Sequence, residues 1–179
     1  MKIASFFVIF SLFSCSNLED KLIQFKSEKI EIPYESMSVY NCSMYTDTIK
    51  HPIMVVKYID SVNCGQCVAF DLLKTEELIS SLYGDCCGLV CIIGGLRNSN
   101  ILKEFYDSHV QSMVCLDTCN VFLEVNPQIP DNELFHTFVI NKDGKVLMVG
   151  NPFQNEKMEA LFKKVIANER KKHKTKKPA

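Results

Sequence analysis

The chain has 179 residues and a formal net charge of −1, with 20 basic residues against 21 acidic ones. Hydrophobic residues make up 47% and charged residues 23%, a globular composition that excludes a largely disordered chain, and the charge balance excludes a broadly electropositive nucleic-acid binder. Nine cysteines are many for a cytosolic protein yet too few for a disulfide scaffold, so thiol chemistry is the first question to ask.

In residues 1–14, Lys2 precedes an apolar run from Ile3 to Phe13. The run is shorter than the roughly 20 residues a membrane-spanning helix needs, and it fits the core of a signal peptide. Leu12-Phe13-Ser14-Cys15 resembles a bacterial lipobox. That resemblance implies removal of residues 1–14 and lipidation of Cys15, which becomes the new N-terminus. Asn17 two places on gives no signal for inner-membrane retention, so the expected address is the Gram-negative envelope, at the outer membrane facing the periplasm. Residues 15–28 are polar and of mixed charge and read as a tether. The remaining organisation is one domain over 29–169 and a basic, disordered tail over 170–179.

Along the domain, Lys29–Pro33 alternates polar and apolar residues and predicts a short strand. Ile53–Ile59 is β-branched and apolar, as a buried strand is. Val68–Tyr83 predicts a helix with Val68, Phe70, Leu72, Leu73, Leu78, Ile79 and Leu82 on its apolar face. Leu89–Ile93 predicts a strand and Asn98–His109 a helix with Ile101, Leu102, Phe105 and Tyr106 inward. Ser112–Leu116 is a third core strand, and Asp117–Glu133 reads as irregular. Phe135–Ile140 and Lys145–Val149 form a hairpin about Asp143-Gly144. Asn155–Asn168 is a closing helix with Met158, Leu161, Phe162, Val165 and Ile166 inward. Alternating strands and helices, then a hairpin and a helix, make an α/β domain: a central mixed β-sheet with helices on both faces.

Asn63-Cys64-Gly65-Gln66-Cys67 falls between the first core strand and its helix. Two thiols three residues apart can form a disulfide across one turn. The helix N-terminus stabilises a thiolate through its unsatisfied N–H groups and dipole. Cys64 is then the attacking nucleophile and Cys67 the resolving thiol.

Strand, Cys-x-x-Cys and helix together resemble the thioredoxin superfamily. Thr137–Val146 is similar to the hairpin of extracytoplasmic TlpA/ResA-type thiol-disulfide oxidoreductases. The resemblance spans about residues 50–168 and implies a thioredoxin-like fold, with protein disulfides or dithiols as substrates and an envelope protein as electron donor. It implies no cofactor, no resident metal, no nucleic acid, and membrane contact through the lipid anchor alone. Its substrate groove maps to Asn63, Gly65, Gln66, Phe135 and His136.

Four features depart from the family. Asn63 stands where Trp is usual, and Gly65-Gln66 replaces a dipeptide with Pro. Tyr58 occupies the place of a buried acid, with Asp60 expected to face elsewhere. Phe135 stands at the cis-Pro position beside His136, and a cis bond there would cost roughly 3 kcal/mol, so a trans bond is expected. These departures leave two alternatives: a thioredoxin-fold binding module without turnover, or a metal-binding protein using Cys64, Cys67 and His136. Cys86 and Cys87 lie a helix length away and are discounted as further ligands. Cys91 and Cys115 read as small apolar core residues, and Cys42 and Cys119 are left unassigned.

Overall fold

A computed structural model describes residues 9–40, 51–60, 64–84, 86–95 and 100–175, with side chains over 18–40, 51–60, 64–84, 86–95 and 101–172. The elements in chain order are α1 (Ile9–Ser27), β1 (Ser38–Tyr40), β2 (Ile53–Ile59), α2 (Gly65–Tyr83), β3 (Cys87–Gly94), α3 (Asn100–Asp107), β4 (Met113–Asp117), α4 (Val121–Val125), β5 (Thr137–Asn141), β6 (Val146–Val149) and α5 (Glu156–Thr175). The sheet order is β1-β4-β3-β2-β5-β6. Strands β2, β3 and β4 run parallel, whereas β1 and β5 pair antiparallel with their neighbours and β6 antiparallel with β5.

The strand sequences explain this order. β3 is buried along its whole length and β2 along most of it, as strands covered on both faces must be. One face of the sheet carries Leu72 and Ile79 of α2, Ile101 and Phe105 of α3, and Phe162 and Ile166 of α5. The other carries Phe25 of α1 and Phe122 of α4, packed on Val56, Ile92 and Phe138. Helices therefore cover both faces, as the apolar patterning requires. The hairpin turns at Gly144, whose φ of +78° a side chain would strain, and a Cβ there would strike the Ile30 carbonyl oxygen.

Several expectations are corrected. The segment 15–28 is no tether: α1 runs to Ser27, and Phe25 is wholly buried edge-on against Phe138 at 5.1 Å. Leu18, Leu22 and Phe25 recur at helical spacing within that polar sequence. Residues 29–33 form no ladder strand. Lys29 makes an isolated antiparallel bridge to Lys145, and Ile30 N donates to Gly144 O at 2.8 Å. Side chains hold the rest: Asn126 Nδ2 donates to Glu31 O at 2.7 Å, and Gln128 Nε2 to Lys29 O at 3.0 Å. The N-terminal strand is instead β1, which pairs with β4. The basic run 170–175 continues α5, and Arg170 Nη2 donates to Cys86 Sγ at 3.2 Å. Residues 121–125 within the expected loop form α4, whose first turn is capped by buried Asp117 through Val121 N and Phe122 N. Phe70, Leu82, Tyr106 and Leu161 point outward rather than into the core. Residues 1–8 and 176–179, Cys42 and Asn63 lie outside the described residues, as does the side chain of Cys15. Among the described residues no helix is long and apolar enough to cross a membrane.

Candidate functional site

The interior strand β2 ends at Ile59, and α2 starts at Gly65. Cys64 is the residue before that helix, extended at φ −144° and ψ 97°, and its Sγ accepts a hydrogen bond from Cys67 N at 3.2 Å. Its carbonyl accepts from Val68 N at 3.2 Å. Cys64 is thus the cap of α2, placed at the positive end of the helix. Cys64 and Cys67 are joined in a disulfide with their Cα atoms 5.3 Å apart. Both are exposed, as is Gln66, whereas Gly65 is half-buried. Half-buried Lys57 on β2 forms an ion pair with the more exposed Asp71 on α2, linking helix and strand, and burial holds the Lys57 ammonium below its ordinary pKa.

On the face of the sheet opposite α2, Tyr58 is buried, its ring 5.1 Å from His136 and 5.4 Å from Phe122. Asp60 lies just past the end of β2, and the Tyr58 hydroxyl donates to its Oδ1 at 3.4 Å. This corrects the expectation that Asp60 faces elsewhere. Burial, reinforced by the charge of Asp60, pushes the phenol well above its ordinary pKa, so Tyr58 stays protonated.

Before β5, Phe135 ends a turn of 3₁₀ helix (Glu133–Phe135) and is half-buried, while Leu134 beside it is 67% exposed. All peptide bonds of the described residues are trans, as expected for Phe135 in place of proline. His136 is corrected from groove residue to buried core. Its Nε2 donates to Pro130 O at 3.0 Å, and its carbonyl accepts from Tyr58 N at 2.8 Å. Among the described residues no three His, Cys, Asp or Glu side chains gather as a metal site.

Two features escaped sequence reading. Phe70, one turn beyond Cys67, is 72% exposed, so an apolar side chain flanks the disulfide on its own helix. Glu104 of α3 also lies against Gly65 of the motif. Its position on a short amphipathic helix reads as solvent-facing, and only the packing of α3 beside α2 reveals the approach.

The order of strands, the hairpin and the disulfide at the head of α2 decide the architecture. The chain has a thioredoxin-like fold. It is similar to the solution structure of a protein provisionally named a thiol-disulfide oxidoreductase from Bacteroides vulgatus, with TM-score 0.51 and 14% identity over 68% of this chain and 78% of that one. Two further solved structures of this fold are also similar. One is the thioredoxin domain of a thiol-disulfide oxidoreductase from the same organism, with TM-score 0.45 and 15% identity over 66% and 81% of the two chains. Another is a protein provisionally named a DsbE thiol:disulfide interchange protein from Chlorobium tepidum, with TM-score 0.49 and 17% identity over 70% and 84%. No protein-family model and no curated relative matches the chain.

Proposed function

We propose that this thioredoxin-like protein is a thiol–disulfide oxidoreductase of the cell envelope. The observation that carries the reading is the exposed Cys64–Cys67 disulfide at the N-terminus of α2, with Cys64 as the helix cap. In the reduced protein, the free N–H groups and dipole of α2 favour a thiolate at Cys64. That thiolate attacks one sulfur of a protein disulfide. A Cys64–substrate bond forms, the substrate S–S bond breaks, and the departing sulfur takes up a proton. Cys67, having lost its proton, then attacks Cys64 Sγ, restoring the Cys64–Cys67 disulfide and releasing the second substrate thiol. Two electrons and two protons pass from the dithiol to the substrate, and an envelope dithiol protein returns them. Gly65, Gln66, Phe135 and the exposed Phe70 and Leu134 form the surface offered to the substrate chain.

The names of the structural neighbours support this reading. The lipobox-like sequence ending at Cys15 supports a lipid anchor in a Gram-negative envelope, with the domain in the periplasm. Insulin reduction with dithiothreitol tests the chemistry. The full chain accelerates precipitation of the insulin B chain, and Cys64→Ser removes the acceleration. Equal rates for the two proteins would leave a binding module in its place. Cys15→Ala tests the anchor by releasing the protein from the membrane fraction.

A further inference from the structure

Glu104 is the acidic group that the mechanism above does not use. Ile101 and Phe105 anchor α3 in the core, and Glu104, next to Phe105, lies on the flank toward α2. Its Oε2 is buried and, among the described residues, meets no hydrogen-bond donor. A Cβ built on Gly65 would collide with that oxygen and lie 2.8 Å from Glu104 Cδ. The carboxylate is therefore seated on the backbone between Cys64 and Cys67, at the first residue of α2.

An orphaned buried acceptor is unfavourable unless another state of the molecule supplies a donor. Reduction of the disulfide creates two S–H donors at this end of α2. A carboxylate here also shares the positive helix terminus with any thiolate at Cys64 and repels it. The neighbouring charged groups do not cancel that repulsion. Asp71 of α2 is taken by Lys57 of β2. Glu76 of α2 is bound by Gln111 N and by Ser112. Lys103 and Asp107 of α3 are exposed and opposite in sign. From the strands, Tyr40 packs on Phe105, and Cys91 is a buried thiol. Tyr58, on the other face of the sheet, stays protonated and does not serve.

We propose that Glu104 is the positioning residue that sets the protonation of the Cys64–Cys67 pair, opposing the pull of the helix terminus so that a smaller share of Cys64 is thiolate at a given pH. The inference rests on the oxidoreductase reading and names the group that tunes it.

The test is the pH profile of Cys64 alkylation by iodoacetamide in the reduced full chain, read on the Cys64 peptide by mass spectrometry. Glu104→Gln keeps the side-chain size and removes the charge. Its midpoint is expected about one pH unit lower than that of the parent, with roughly tenfold faster alkylation on the acidic side. Gly65→Ala displaces the carboxylate and shifts the midpoint the same way, which decides the matter if Glu104→Gln does not fold. Profiles superimposable on the parent in the folded variants would overturn the inference, because a residue with a merely structural role moves the melting temperature and not the midpoint. Alkylation needs no turnover, so failure of the Glu104 assignment is distinct from failure to reduce insulin.

Discussion

Tyr58 illustrates how one position changes the chemistry of the strand that leads to the disulfide. A carboxyl group in that place can exchange protons near neutral pH, whereas a phenol that burial and Asp60 push upward cannot. Tyr58→Phe is therefore expected to leave the pH dependence of insulin reduction unchanged. It should lower stability by no more than about 1 kcal/mol in urea titration, the worth of one hydrogen bond. A pH profile displaced by that substitution would show that the hydroxyl takes part. The motif cysteines were legible in the sequence because spacing and a following amphipathic helix place them without any tertiary knowledge. His136 and Glu104 were not legible. Whether an imidazole turns to Pro130 or to the groove, and whether a helical carboxylate meets solvent or Gly65, depends on packing between elements far apart in the chain.

Among the elements, α1 carries the least expected contribution. Its polar composition hides Phe25, which fills the face of the sheet opposite α2 against Phe138. Truncation of a wholly buried Phe typically costs 3–5 kcal/mol. Phe25→Ala is thus expected to lower the stability of the domain by about 3 kcal/mol in denaturant titration, with the disulfide chemistry retained. A change below about 0.5 kcal/mol, the range of surface substitutions, would mean that this segment is a tether after all. The core strands and the hairpin were readable because period-two and continuous apolar patterns report burial directly. The segment 29–33 stops at a single antiparallel bridge, Lys29 to Lys145, because beyond it the backbone is taken up by the Asn126 side chain rather than by a strand ladder. In α5 the basic run after Ile166 looked detached, yet helix propagation carries it on to Thr175.

For the whole molecule, the buried thiols set the response to alkali. Desolvation pushes Cys87 and Cys91 up to about 12 from an ordinary 9.0. The folded protein holds these protons while the unfolded chain releases them, so the stability they support is complete below about pH 9 and falls as pH rises toward 12. The urea midpoint is accordingly expected to fall above pH 9 with these thiols present, and Cys91→Ala should flatten that fall. A Cys91→Ala variant with an undiminished alkaline slope would contradict the assignment. The surface chemistry is separate: the exposed Cys64–Cys67 pair and the buried core thiols differ in access, so one molecule carries both without interference.

The most direct measurement is the equilibrium of the full chain with a series of reduced-to-oxidised glutathione ratios, read as the reduced fraction of Cys64 and Cys67. Thioredoxin-like chemistry predicts a single reversible two-electron transition that disappears in Cys64→Ser. A pair that stays oxidised across the whole series, or a transition that survives loss of Cys64, would contradict it.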